Sequence, residues 1–308
     1  MFFLLKYGVL CEPSEQVETE LDLVAKFVRE TEIHGDPVHY GRALAMQGET
    51  CHRLGHFEEA IESHMKLKEV YDVDKHSSLV VAAYASDRCA QNFGLTANCY
   101  NRLGQLDKAL AIADHIEFSI MPKMDPKNVH NSMVTIYPIL WILKDNGMAK
   151  RSLSLFQKHV KGPFDEFFGE DGSTPFLLSF KPFEVLLNTF LYIENEHDEF
   201  DKNYIDWALD LKNMEIPSLR IDMALGNFAR GPMSISAEAC LLLSKLTDDP
   251  KERMALLRNG AKLSTITIGS CDGSDGNSKN QHAYAQIKPV HDELDLLLQN
   301  GQSLVEND

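Results

Sequence analysis

Three histidines in the first third of the chain have a spacing that could bind a metal ion. His52 and His56 are four residues apart, and His64 lies eight residues further on. Two histidines four apart on one helix can share a zinc ion. Gly55 interrupts the helix between them, and the sequence offers no evident third ligand. The pattern therefore favours histidines on the surface of a helical turn, and no metal or other cofactor is expected.

An acidic, glycine-rich segment, CDGSDGNSKN (271–280), could bind calcium. The first ligand positions of an EF-hand loop would fall on Asp272, Ser274 and Gly276, and position 12, which needs Glu, falls on Ala283. A solvated loop is the better interpretation. The sequence also lacks a GxxxxGK[ST] phosphate loop, HExxH, GxSxG and paired zinc-type cysteines, so we expect no catalytic residues and no enzyme.

Charge narrows the classes of partner. The chain has 308 residues and a formal net charge of −16. Nucleic-acid binding and binding to anionic membranes both need basic side chains, so neither is expected. A protein or peptide partner suits this charge better, and a basic partner in particular.

The cysteines and the hydropathy of the chain indicate the cellular compartment in which the protein resides. Four of the six cysteines, Cys51, Cys89, Cys99 and Cys240, fall in helical apolar patterns, which favours buried free thiols in a reducing compartment. We therefore expect a cytoplasmic protein. The opening run MFFLLKYGVLC (1–11) favours a first helix or strand over a signal peptide, because no small-x-small cleavage site follows.

A helical pair organises residues 40–71. Apolar residues recur at spacings of three, four and seven on both sides of Leu54-Gly55-His56. Gly55 suits the left-handed conformation that ends a helix, and Gly48 and Ala60 are small where two helices must approach closely. The pattern recurs around Gly104, with Ala97 and Ala109 as the small residues. It is weaker around Gly147, where Ser152 is small but Leu140 is too large for the usual close contact.

These residues resemble the tetratricopeptide repeat, a family of paired helices. Leu44, Gly48, Phe57 and Ala60 match its repeat positions 4, 8, 17 and 20. The three turn glycines are 49 and 43 residues apart, whereas the family repeats every 34 residues. The helices or connections must therefore be longer than is usual, and one long helical stretch is predicted over Ser77–Leu103. The resemblance implies an all-α fold, a right-handed superhelix of antiparallel helical hairpins.

The sequence predicts five regions. A helical segment (1–36) precedes the tetratricopeptide-like repeats (37–161), and further hairpins of the same array follow (162–267). They open with a loop over Gly162–Pro175, which is rich in Gly, Pro and acid. A flexible loop (268–281) then leads to a last capping helix and tail (282–308).

In the resembled family, the first helices of each pair line a concave groove that binds extended peptides or helices. The groove positions of the three repeats give the candidate binding residues. They are Arg42, Glu49, His52 and Arg53; Gln91, Asn98, Asn101 and Arg102; and Tyr137, Trp141 and Lys144. Asn can bond a peptide backbone, Arg can clamp a carboxylate, and Tyr and Trp are frequent hot spots.

The predicted function is a non-catalytic interaction module that binds a peptide or partner helix in this groove. The alternative is a regulatory or sensor segment of a larger signalling NTPase or cyclase. Another interpretation also remains open, in which the groove residues are ordinary solvated side chains, with Tyr137 and Trp141 buried against the next hairpin. The sequence does not predict the oligomeric state.

Overall fold

The computed structural model describes residues 16–84, 86–125, 127–168, 175–194, 199–211, 232–271 and 281–305. Within these ranges the regular structure is helical and contains no β-strand, so the predicted all-α class is confirmed. The chain forms two compact units, Met1–Gly172 and Ser173–Asp308. The predicted start of the fold over residues 1–11 lies outside the described residues, and the predicted domain boundaries stay predictions.

The first unit is a succession of short helices. In chain order they are α1 (Gln16–His34), α2 (Pro37–Leu54), α3 (Phe57–Val70), α4 (Val73–Tyr84), α5 (Arg88–Arg102), α6 (Leu106–His115), α7 (Val129–Asp145), α8 (Ala149–Phe156) and α9 (Gly162–Phe168). A π-turn (Ile116–Ile120) and a 3₁₀ turn (Met121–Lys123) follow α6, and a second π-turn (Gln157–Lys161) joins α8 to α9.

Helices of this unit pack in consecutive pairs. Helix α2 packs on α3, α5 on α6, and α7 on α8. The first helices of the three pairs also pack in a row, α2 on α5 and α5 on α7. The pairs end their first helices at Gly55, Gly104 and Gly147, whose φ angles of 82°, 72° and 77° are left-handed, as the sequence predicts.

The predicted small residues are buried, but one of them makes room for a different neighbour. Ala60, Ala109 and Ser152 are buried in the second helices, as a close helix pair requires. Gly48 instead leaves space for Asn92 of α5, whose Nδ2 would lie 2.8 Å from a Cβ at position 48. The neighbouring helix α5, rather than the partner helix α3, therefore explains this glycine.

The prediction of one helix over Ser77–Leu103 is wrong. The structure has two helices, α4 and α5, with Ser86 and Asp87 between them. Asp87 Oδ1 accepts the backbone N–H of Ala90 at 3.0 Å and so caps the second helix. Apolar periodicity continues across the break because both helices bury one face, which is why the pattern conceals it.

Additional helical elements explain why the turn glycines lie farther apart than in the resembled family. Helix α4 lies between the first and second pairs, and the π-turn and 3₁₀ turn after α6 lengthen the second. Arg151 of α8 links that π-turn to the third pair, because its Nη2 lies 2.5 Å from both Asp114 Oδ1 and Glu117 Oε2. The longer connections predicted from the glycine spacing are thus a helix and two tight turns.

The predicted loop over Gly162–Pro175 is wrong in its first half, where α9 is helical. Phe164 is buried there, and Lys161 Nζ pairs with Asp165 Oδ2 at 2.9 Å, one helical turn apart. Proline is tolerated in a first turn because its missing N–H has no helical partner there, so Pro163 does not stop the helix. Residues 169–174 lie outside the described residues.

The second unit contains α10 (Pro175–Ile193), α11 (Asn203–Asp210), α12 (Pro232–Ser244), α13 (Pro250–Cys271) and α14 (Gln281–Val305). Helix α12 packs on α10 and α13, and α13 packs on α14. Asp249 Oδ1 accepts the N–H of Lys251 at 2.7 Å and so caps α13, which begins at Pro250. The glycine-rich segment 272–280 lies outside the described residues.

Candidate functional site

The candidate binding residues lie on the row of first helices α2, α5 and α7, but the structure buries most of them. Their role in binding a partner stays a prediction. Buried are Glu49, His52, Gln91, Asn98, Tyr137, Trp141 and Lys144. Arg42, Arg53 and Asn101 are half-buried, and Arg102 is exposed. Solvent therefore reaches this set mainly where α2 and α5 end.

On α2, two candidate residues form a buried ion pair with each other. Arg42 Nη1 lies 3.8 Å from Glu49 Oε1, and both side chains are largely withdrawn from solvent. The end of α4 covers the same region, since Tyr84 Oη lies 2.6 Å from His39 Nδ1 and the Tyr84 ring lies 5.8 Å from the Arg42 guanidinium. Burial raises the pKa of Tyr84 to about 12, so its hydroxyl stays protonated.

Other candidate side chains contact one another across neighbouring repeats. His52 Nε2 of α2 lies 3.3 Å from Asn98 Oδ1 of α5. Asn101 Oδ1 of α5 accepts the Nδ2–H of Asn146, which follows α7, at 3.4 Å. These contacts join consecutive helix pairs, so the polar residues expected to face a ligand partly hold these pairs together.

On α7, Tyr137 and Trp141 are buried, as the alternative interpretation of the sequence proposed. Their rings meet edge to face with centroids 6.1 Å apart. Lys144 Nζ lies 5.2 Å from the centre of the Trp141 ring and 3.3 Å from Asp145 Oδ1. The lysine charge is therefore compensated by a ring face and a carboxylate, as a buried cation requires.

The histidines predicted to lie on the surface of a turn are mostly inside. His52 and His64 are buried, whereas His56 is exposed. Burial lowers the pKa of His52 to about 4, and the nearby Arg102 acts in the same direction. Burial also lowers the pKa of His64 to about 4, with Lys68 contributing. Among the described residues no group of three or more His, Cys, Asp or Glu side chains could hold a metal ion.

These two histidines should make the fold sensitive to mild acid. Each binds a proton near pH 6.5 when unfolded but only near pH 4 when folded, so stability falls as pH drops from 6.5 to 4. At pH 5 each histidine should remove about 2 kcal/mol of the stability present at pH 7.5. Urea unfolding of the wild type at both pH values measures this loss.

The variants His52→Gln and His64→Gln test the assignment of that loss. Each removes one titrating group, so each should reduce the wild-type difference between pH 7.5 and pH 5 by about 2 kcal/mol. An unchanged difference in both variants would show that other groups cause the acid sensitivity.

A network of buried polar groups lies near the start of the first helices. It was not predicted from the sequence. Asp87 Oδ2 accepts the Tyr71 hydroxyl at 2.5 Å, and the backbone N–H of Asp87 donates to Asn131 Oδ1 of α7 at 3.1 Å. Asn92 Nδ2 of α5 donates to the carbonyl of Ala45 on α2 at 3.0 Å. The available signal was Ser86-Asp87, a helix-capping pair inside an apolar pattern.

The predicted buried thiols are confirmed for Cys51, Cys89, Cys99 and Cys240, which are free and buried. Burial raises the pKa of Cys51 to about 11 and that of Cys240 to about 12. A reactive cysteine needs a lowered pKa and access to solvent, so these thiols serve packing.

A serine, a histidine and an aspartate are aligned in the second unit, a combination that can hydrolyse esters. Ser264 Oγ lies 2.9 Å from His291 Nδ1, and His291 Nε2 lies 3.4 Å from Asp295 Oδ2. Ser264, however, is fully buried, and its hydroxyl also donates to the carbonyl of Ala261 at 2.9 Å. A nucleophile must reach its substrate, which a buried serine does not. The alignment instead stabilises the packing of α13 on α14.

No helix in the described ranges is long and apolar enough to span a membrane. Comparison of the chain with protein-family models, with curated proteins and with solved structures finds no match. The candidate site therefore has to be interpreted from its own geometry.

Proposed function

We propose that this chain is a non-catalytic protein-interaction module with a tetratricopeptide-like array in its first unit. One observation carries the proposal: the first helices of three consecutive pairs pack side by side, α2 on α5 and α5 on α7. Arrays of this kind present their first helices as a continuous binding surface. Left-handed glycines at all three turns and small buried residues in the second helices support the resemblance.

The ligand is a peptide or partner helix, and it engages the row where its polar groups reach solvent. Arg53 and Asn101 are half-buried and Arg102 is exposed, all in the last turns of α2 and α5. Guanidinium and amide groups can bond the carbonyls and carboxylates of a peptide. The buried members of the set hold the helices in position, and the net charge of −16 favours a ligand that is basic overall.

The test requires variants that change the surface without unfolding the array. Asn98 is unsuitable, because its removal breaks its buried contact with His52. The double variant Arg53→Glu/Arg102→Glu changes only residues in contact with solvent. Lys66→Glu/Lys158→Glu is the matched control, since it makes the same charge change at exposed positions of α3 and the second π-turn.

The purified chain and both variants would be screened on an array of 15-residue peptides, with affinities measured by fluorescence anisotropy. We expect peptides whose affinity falls about tenfold or more in R53E/R102E and stays near the wild-type value in K66E/K158E. Circular dichroism would establish that all three proteins are equally helical. Equal affinities in all three, or no bound peptide, would refute binding at the ends of α2 and α5.

A further inference from the structure

Three Asn-Gly dipeptides occur in the sequence, at 146–147, 259–260 and 300–301. Asparagine followed by glycine is prone to deamidation, because glycine has no side chain to hinder the attack of its backbone nitrogen on the asparagine side chain. In a folded protein these two groups must also be able to meet. Local structure therefore decides which of the dipeptides reacts.

Regular helix protects two of the dipeptides. Asn259 lies in the middle of α13 and Asn300 lies within α14, where the N–H of the following glycine belongs to the helical hydrogen-bond ladder. Asn259 Nδ2 also donates to the carbonyls of Ala208 at 3.0 Å and Leu209 at 3.4 Å. Gly260 is closely packed, since a Cβ there would lie 3.0 Å from a side chain of α14. A reaction at Asn259 would require α13 to open where it packs on α14.

Asn146 lies instead just beyond the end of α7, in the turn that leads to α8. Gly147 is exposed, and its N–H donates to the carbonyl of Lys144 at 3.2 Å, a turn contact of the kind that frays at a helix end. Asn146 Nδ2 donates to the carbonyl of Ile142 at 2.7 Å and to Asn101 Oδ1 of α5 at 3.4 Å. Opening this single turn therefore releases both reacting groups while the helices stay folded.

We propose that Asn146 is a modification site, at which spontaneous deamidation loosens the contact between the second and third helix pairs. The backbone nitrogen of Gly147 attacks Cγ of Asn146, and the new C–N bond closes a succinimide ring. The bond from Cγ to Nδ2 breaks, and Nδ2 leaves as ammonia with the proton that the glycine nitrogen gives up. Water then adds to one of the two ring carbonyls, which opens the ring to aspartate or isoaspartate.

Both products weaken the turn. An oxygen in place of Nδ2 has no proton to donate, so the bonds to the Ile142 carbonyl and to Asn101 Oδ1 lose their donor. The new negative charge also lies at the carboxyl end of α7, where the helix dipole disfavours an anion. Isoaspartate further lengthens the backbone by one carbon before Gly147, whose left-handed conformation forms the turn.

The wild-type chain would be aged at pH 8 and 37 °C and digested at intervals, and mass spectrometry would locate the converted asparagines. We expect Asn146 to convert about tenfold or more faster than Asn259, because it needs only a local opening. Asn101→Ala removes one restraint and should raise the rate at Asn146 about twofold or more. The matched control Asn188→Ala makes the same change at a half-buried position of α10 and should leave that rate unchanged.

Melting temperatures test the consequence of the modification. Asn146→Asp should melt about 3 °C or more below the wild type, and the aged wild type should approach it. Asn146→Gln keeps an amide but does not close the succinimide ring, so ageing should lower its melting temperature much less. No ligand enters these measurements, so their outcome is independent of the proposed peptide binding.

Three results would each overturn the proposal. Asn146 could convert no faster than Asn259, the rate at Asn146 could be the same in N101A as in the wild type, or N146D could melt at the wild-type temperature.

Discussion

Replacing Asp87 with Ala should lower the free energy of unfolding by about 4 kcal/mol, measured by urea denaturation at pH 7.5. The carboxylate is fully buried, caps α5 through the Ala90 N–H and accepts the Tyr71 hydroxyl at 2.5 Å. Its loss leaves a helix end without its cap and removes the carboxylate that accepts the buried Tyr71 hydroxyl. Each of these effects costs about 1 to 3 kcal/mol.

Asp36 offers a matched control for the capping part of this effect. It caps α2 through the Val38 N–H at 2.9 Å, but it is exposed and holds no buried hydroxyl. Asp36→Ala should therefore cost only about 1 kcal/mol. If D87A were no more destabilising than D36A, the buried network around Asp87 would contribute nothing to stability.

The variant Tyr71→Phe separates the two roles of Asp87. Removing the hydroxyl breaks the contact to Oδ2 but leaves the cap on Ala90 in place. In a double-mutant cycle, D87A and Y71F should show a coupling of about 1 to 3 kcal/mol because they share one hydrogen bond. Burial, followed by the charge of Asp87, raises the pKa of Tyr71, so the hydroxyl remains a donor at pH 7.5.

Replacing Gly94 with Ala should be the second large effect, a loss of about 3 kcal/mol. A Cβ at this position of α5 would lie 2.7 Å from the carbonyl oxygen of Thr135 and 3.0 Å from Cγ of Pro138, both on α7. The first contact is with backbone and the second with a proline ring, so neither can move aside without separating the two helices. Urea unfolding measures the loss.

Gly48→Ala is the comparison that tests this reasoning. Its Cβ would meet the side-chain amide of Asn92 at 2.8 Å, and a side chain can rotate away at the cost of its bond to Ala45. We expect a smaller loss than for G94A, about 1 to 2 kcal/mol. A stability of G94A equal to that of the wild type would mean that α5 and α7 are not held as closely as the structure shows.

Much of the fold could be predicted because its signals are local. The turn glycines 55, 104 and 147, the small residues 60, 109 and 152, and the cap at Asp249 each follow from backbone sterics or from hydrogen bonding within a few residues. The same locality explains the errors: an apolar stripe continues through Ser86-Asp87, and Gly and Pro at 162–163 suggest a loop although they begin a helix.

The candidate site was harder to predict because exposure is a property of packing between repeats. Helical spacing correctly places Glu49, His52 and Asn98 on the faces of first helices, but it does not reveal what covers those faces. His52 and Asn98 are 46 residues apart in the chain, yet their side chains lie 3.3 Å from each other. Only the approach of α2 to α5 brings these groups together and withdraws them from water.

The sequence by itself thus determined the helical class, the paired helices and the turns that join them, since these depend on interactions within one or two helical turns. The tertiary structure alone decided which polar residues are buried and which reach solvent. Asp87, Asn131 and Tyr71 meet from three different helices or their ends. A sequence pattern cannot predict such a meeting, because the free energy that selects it comes from contacts between distant segments packed together.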